Sequence, residues 1–295
     1  MNKLKAVLYV AVGAASYGVL ATFVKVATGE GYATGAITFT QFATGAIVLF
    51  TLDLLWGRSA TRGNMRQALQ LMFAGSSLGL TSTFYYLSVE YLPVSVSIIL
   101  LMQTIWMGIL ADAVREKRLP SLSQLITVLI VLLGTVLATD LSSAGFSWDM
   151  RGLLFGLLAA GCYTFAMSAS NRIAVTCNVF FRSKYLVTGG LIAILAYWNV
   201  HIFDSLSWHL EWRFGLFLGL FGTVLPPLMF SKGFPIIGLG WGSVLAAIEI
   251  PVSIGTACFF LGEEISLTQL LGCICIIAGI VFHHVWAKPV TMPVA

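Results

Sequence analysis

Long uninterrupted apolar runs decide most of what this chain can become. Stretches such as Val128-Leu129-Ile130-Val131-Leu132-Leu133 recur along its 295 residues, with charges collected in the short gaps between them. Backbone polar groups in hydrocarbon must be satisfied internally, and about 20 apolar residues span the bilayer core as a helix. These runs lack the strict alternation of a membrane β-barrel. Charged residues make up 9% of the chain. A soluble chain carries roughly 25%, so a soluble fold of this size could not wet its surface.

The runs predict an all-α integral membrane protein with ten transmembrane helices and no extramembrane domain. The helices are expected near residues 6–28, 33–56, 68–89, 93–111, 122–139, 152–172, 184–202, 213–230, 238–260 and 267–286. The first apolar stretch is too long for a signal-peptide core and reads as a retained helix. Loop charges support the count. With a cytoplasmic N-terminus, one side holds Lys3, Lys5, Arg58, Arg62, Arg66, Arg115, Lys117, Arg118, Arg172, Arg182, Lys184, Lys232 and Lys288, which is 13 of the 16 basic residues. The other side holds Arg151 and Arg213, while Lys25 lies within the first helix and snorkels, makes an ion pair or contacts a substrate carboxylate. The acids Glu30, Glu90, Asp140, Asp149, Asp204, Glu211, Glu263 and Glu264 also fall on that other side. A miscounted helix would invert every later loop, so the positive-inside bias supports the count and predicts that both termini are cytoplasmic, with the cell (inner) membrane as the expected location. The dispersed basic residues give no nucleic-acid footprint.

The chain also repeats itself at an offset of about 146 residues. Ser16-Tyr17 matches Cys162-Tyr163, Ser97 matches Ser243, and Gln103 matches Glu249. After a small length difference, Gln124-Leu125 matches Gln269-Leu270 and Gly134 matches Gly279. Two repeats are expected, 1–145 and 146–295. Five helices is an odd number, so the second half enters the membrane inverted. Inverted repeats place a substrate site near the midplane, between the halves, and permit alternating access.

Some of these residues resemble a known family. Tyr17-Gly18 followed by Phe23-Val24-Lys25 resembles the first-helix signature of EamA-type drug/metabolite transporters. Glu116, Gln124 and Gly134, and again Glu263, Gln269 and Gly279, resemble the ending of each half in that family. The resemblance covers nearly the whole chain. It implies the ten-helix, five-plus-five inverted fold and the transport of amino acids, nucleotide-like metabolites or drugs. Tyr17 stands where the family usually has Trp. Gln41 stands where many members carry Arg in the second helix, which removes a fixed positive charge and argues against an anionic substrate.

Glu249 is the most informative single residue, a carboxyl near the middle of the ninth helix. A charge at the bilayer centre costs roughly 2.5–3.5 kcal/mol on insertion scales, so the group must face a cavity, find a partner or hold a proton. Proton coupling, recognition of a substrate cation, and a protonated packing device are the three readings. Gln103 is its repeat counterpart, with Trp106 one turn on. Tyr17, Gln41, Tyr85, Tyr163 and Trp241 complete the candidate substrate cavity. Polar stripes at helical spacing, Ser77-Thr81-Tyr85-Ser88 in the third helix and Thr164-Ser168-Asn171 in the sixth, mark faces turned from lipid or helix–helix hydrogen bonds. Pro226 and Pro227 interrupt the eighth helix, and Pro251 frees a carbonyl near Ala247; each is a gating kink or a static bend.

Other chemistry finds little support. Gly75-Ser76-Ser77-Leu78-Gly79 has the G-x-S-x-G form but lies mid-helix, where small-residue helix packing explains it. The five cysteines make no CxxC pair, and there is no HExxH, Walker A or dinucleotide motif, so no metal or cofactor is expected. The leading expectation is a secondary transporter, an exporter of amino acids or similar small metabolites working with a small-molecule substrate, the lipid bilayer and protons. The alternative is proton-coupled efflux of cationic or aromatic drugs. An intramembrane enzyme would need several reactive groups at one depth, and only Glu249 qualifies. A non-transporting membrane protein is the remaining class.

Overall fold

The computed structural model describes residues 2–57, 63–92, 94–139, 149–199, 202–203, 206–262 and 264–286. Of the loop charges counted above, Arg58, Arg62, Asp140, Asp204, Glu263 and Lys288 lie outside the described residues. The helices are α1 (Lys3–Gly29), α2 (Thr34–Trp56), α3 (Met65–Tyr91), α4 (Val94–Leu101), α5 (Thr104–Arg115), α6 (Leu122–Ala138), α7 (Met150–Arg172), α8 (Val179–Trp198), α9 (Arg213–Ile237), α10 (Leu239–Ala246), α11 (Glu249–Leu261) and α12 (Leu267–Trp286). The pairs α4/α5 and α10/α11 are each one span with a break, so the described residues form ten helical spans that pack together. Eight are long and apolar enough to cross a membrane. The shorter α6 is apolar, and the 27-residue α3 carries the polar run Thr81-Ser82-Thr83. This is the all-α fold expected from the runs.

Local chemistry explains where several helices begin. Ser121 and Gln124 form a reciprocal capping box at the start of α6, each side chain bonded to the other's backbone N–H. Ser266 and Gln269 make the same pair of bonds at α12, at 2.9 and 3.2 Å. The glutamine in each half's closing motif is therefore a helix-start device. The glycine of that motif serves packing. A Cβ on Gly134 would stand 3.0 Å from the Gly272 carbonyl oxygen, so α6 and α12 touch backbone to backbone. Gly75 and Gly79 do the same for α3 on α8, where a Cβ on Gly75 would stand 1.9 Å from the Leu186 carbonyl oxygen. At the start of α7, the Arg151 side chain holds the Asp149 carboxyl below its usual range by a direct hydrogen bond and stacks on Tyr91, 4.5 Å from the ring centre.

Helix contacts come in matched sets under the 146-residue offset. α3 packs on α7 and α8, and its counterpart α9 packs on α1 and α2. α1 packs on α11, as α7 packs on α4 and α5. The self-matched pairs α2–α8 and α6–α12 lie against one another, and α5 of the fourth span packs on α10 of the ninth.

Three details depart from expectation. α8 starts at Val179, not near 184, which puts Arg182 and Lys184 inside the helix. Arg182 is 1% exposed and donates to the carbonyls of Ile173 at 3.0 Å, Ser170 and Ser231. Ser170 and Ile173 belong to the open C-terminal end of α7. Ser231 lacks its usual helical partner because Pro235, four residues on, has no N–H. The guanidinium replaces the donors the backbone cannot supply. Lys184 pairs with Asp53 of α2. Second, Pro226 and Pro227 do not interrupt the eighth span: two wide π-type stretches, Glu211–Gly215 and Gly219–Val224, precede them and the helix runs on to Ile237. Third, the fourth span, expected as continuous, and the ninth, expected with a kink or bend at Pro251, are each broken near the middle.

Candidate functional site

The two breaks occupy nearly equivalent positions. In the fourth span the Gln103 N–H reverts to the Leu100 carbonyl and the Ile105 N–H to that of Met102, three residues back. In the ninth, the Ala247 and Ile248 N–H groups bond to Val244 and Leu245 in the same tight way. Pro251 has no N–H for the Ala247 carbonyl, and Ile250 donates to it instead at 3.2 Å. Proline explains the second break only, since the first has none at its matching position.

Glu249 is the first residue of α11, where the helix dipole favours a negative group. Gly18 makes room for it: a Cβ there would stand 2.4 Å from the Glu249 carbonyl oxygen, so α1 lies directly on the break. One turn further, the hydroxyls of Thr22 and Thr256 join α1 to α11 at 2.9 Å. The Glu249 side chain lines a cavity of about 70 Å³ with Tyr17, Thr81, Tyr85, Tyr86 and Tyr163. Its Oε2 is buried without a hydrogen-bond partner among the described residues, and so is the Tyr163 hydroxyl. Among the described residues, no lysine, arginine or histidine lines this cavity. A lone carboxyl among hydroxyls and ring faces can exchange a proton or bind a cation; it has no fixed positive charge to neutralise it.

Tyr85 and Tyr86 also line a larger vestibule of about 400 Å³. It runs past Thr28, Glu90 and Glu264 toward the ends of α1 and α3, away from the N-terminus. In the other direction the path is shut. Tyr17 meets Tyr163 edge to face at 5.9 Å and Phe230 at 6.0 Å, and only about 10 Å³ remains among Tyr17, Tyr163, Pro227 and Phe230.

Tyr17, Tyr85, Tyr163 and Glu249 thus converge. The other cavity candidates, Gln41, Gln103, Trp106 and Trp241, do not join them. Gln103 donates to the Ile99 carbonyl at 3.0 Å and accepts from the Trp106 indole at 2.8 Å, and Trp106 is 38% exposed on the outer surface. Gln41 is buried between α2 and α9, next to Gly222 and Thr223, with Oε1 unpartnered among the described residues. Trp241 stacks on His283 at 4.5 Å and lines a separate cavity where α5 and α7 finish and α10 begins. Pro226 and Pro227 are buried in α9, and Pro251 sits in the first turn of α11. Tyr86 escaped sequence reading. The polar stripe through Tyr85 selected one helix face, and Tyr86 lies about 100° round from it; the adjacent tyrosine pair was the available signal.

Comparison with known proteins gives this geometry its context. The profile of the EamA-like transporter family matches the chain twice, over residues 4–139 and 150–283. The chain belongs to the EamA-like transporter family. The threonine/homoserine exporter RhtA of Escherichia coli (strain K12) is 24% identical over 248 residues, which is 82% of this chain and 79% of that protein. RhtA of Salmonella typhimurium (strain LT2) is 25% identical over 249 residues, with the same coverage. An uncharacterized transporter of Archaeoglobus fulgidus is 28% identical over 130 residues, 44% of this chain and 46% of its own. A solved crystal structure superposes with a TM-score of 0.78 at 17% identity, covering 97% of this chain and 98% of its own, and so shares the fold. This EamA-family chain is a multi-pass membrane protein with a carboxyl at the foot of its vestibule.

Proposed function

We propose that this protein exports amino acids or similar small metabolites across the inner membrane by alternating access, with residues 1–145 and 146–295 as the two inverted halves and Glu249 as the group that exchanges protons or recognises substrate charge. The observation that carries this reading is the unpartnered Glu249 carboxyl at a helix break, in a small cavity that shares Tyr85 and Tyr86 with the vestibule on one side and is closed on the other. The name of its RhtA relatives supports amino acids as the substrate class. In an exporter, an ammonium group and a proton compete for the same carboxylate. Protonation from the outer side displaces the bound ammonium, and loss of that proton on the inner side readies the carboxylate for the next substrate. The basic helix ends at Lys3, Arg66, Arg115 and Arg172 mark the cytoplasmic face, so the vestibule opens outward.

Four tyrosines around one carboxyl also suit a cationic aromatic solute, whose charge can rest on ring faces. Flux into proteoliposomes separates the two readings. Threonine, homoserine, nucleosides and organic cations are offered singly, with and without a pH gradient. Gradient-dependent flux of an amino acid is expected. Flux of organic cations alone would favour the second reading, and no flux of any solute would remove transport of these classes.

A further inference from the structure

A second cavity, of about 470 Å³, opens at the opposite end, where α5 and α7 finish and α10 begins. Asp112 lines it. Its Oδ2 accepts the Gly240 N–H in the first turn of α10, and its Oδ1 faces the Arg172 guanidinium at 3.4 Å. That second contact is long: charge-assisted N–H···O bonds run about 2.7–2.9 Å. Arg172 Nε has no hydrogen-bond partner among the described residues. Neither has Oδ1 of the neighbouring Asn171, a residue only 4% exposed that lines the same cavity. A carboxylate, a guanidinium with a spare donor and a buried amide oxygen with a spare acceptor therefore line one cavity. The buried ring of Trp241 lines the same space.

These groups are complementary to a zwitterion. We infer that this cavity receives a free amino acid from the cytoplasm before it reaches Glu249, with the α-carboxylate on Arg172, the α-ammonium between Asp112 Oδ1 and Asn171 Oδ1, and the side chain against Trp241. The inference rests on the amino-acid export reading above. Docking replaces the Asp112–Arg172 contact, which is the ionic tie between α5 and α7, and so loosens the end that is closed. The 146-residue offset supports an entry role peculiar to this end. The positions matching Asp112, Arg172 and Gly240 are Cys258, Val26 and Val94, which offer no ion pair at the vestibule end.

Equilibrium binding to purified protein in detergent tests the inference, with L-threonine, its methyl ester and N-acetyl-L-threonine as probes. Glu249→Gln protein is the reference, so that the central carboxyl does not contribute. It should still bind threonine, and bind both blocked analogues more weakly. Adding Arg172→Gln should weaken threonine binding at least about tenfold, the size expected for losing a charged hydrogen-bond pair, and erase the preference over the methyl ester. Adding Asn171→Ala, which leaves the ion pair in place, should weaken it by about tenfold, the size of one hydrogen bond to the charged ammonium. Should Arg172→Gln fail to fold, the Asn171→Ala effect and the analogue preferences decide alone. Threonine binding that is absent from Glu249→Gln protein, unchanged by Asn171→Ala, or matched by the methyl ester overturns the site. Failure of the export reading is seen separately, as absence of amino-acid flux through the unmodified protein in proteoliposomes.

Discussion

The fourth and ninth spans break at nearly the same place, yet their two central side chains do opposite things. Gln103 spends its amide on its own helix, bonded to the Ile99 carbonyl and the Trp106 indole. Glu249 spends nothing among the described residues and faces a cavity. The helix resumes at Thr104 in one half and at Glu249 in the other, a one-residue shift against the 146-residue offset. One residue is about 100° of helix rotation, so matched positions leave their helices in different directions. Repetition supplied a pair of breaks, and only the second carries a reactive group. A repeat thus predicts backbone geometry better than chemistry.

Exchanging the two side chains is the most severe way to break that comparison. The double variant Gln103→Glu with Glu249→Gln conserves composition and net charge, but moves the carboxyl to the outer side of its span. Flux of the transported solute should fall below about a tenth of the original, in line with the cost of a charge placed toward lipid; recovery of near-normal flux would make the two breaks interchangeable. Next in size is Arg182→Met. Leaving three buried carbonyls without donors should cost about 3 kcal/mol, read as a lowered melting temperature in detergent. Gly18→Val tests the contact beneath Glu249. Forcing a side chain against that carbonyl should cost about 1–3 kcal/mol and slow transport as well. Smallest is Gln103→Ala, which removes two hydrogen bonds within one helix and should leave flux within about twofold.

Much of the fold was legible because membranes impose few solutions. Apolar runs and the sidedness of basic residues led to ten spans, and the paired Gln124 and Gln269 proved to be capping residues. Part of the site was legible too: a carboxyl amid apolar residues is conspicuous, and Tyr17 and Tyr163 were linked to each other by the repeat. What stayed hidden depends on the direction a side chain leaves its helix and on distant partners. Trp106 lies one turn from Gln103 but faces outward with it. Arg182 read as a loop cation because its reason, the carbonyl that Pro235 leaves free, lies 49 residues away at Ser231. Asp112 joins α5 to α10 across 128 residues, a pairing no local pattern carries.

The central claim is that the lone Glu249 carboxyl couples protons to transport. Its most direct test is flux in proteoliposomes, measured with and without an imposed pH gradient, for unmodified protein and for Glu249→Gln. The account predicts gradient-driven flux in the unmodified protein, and in Glu249→Gln a low residual flux that no longer responds to the gradient. Gradient-driven flux of equal size in both proteins would contradict it.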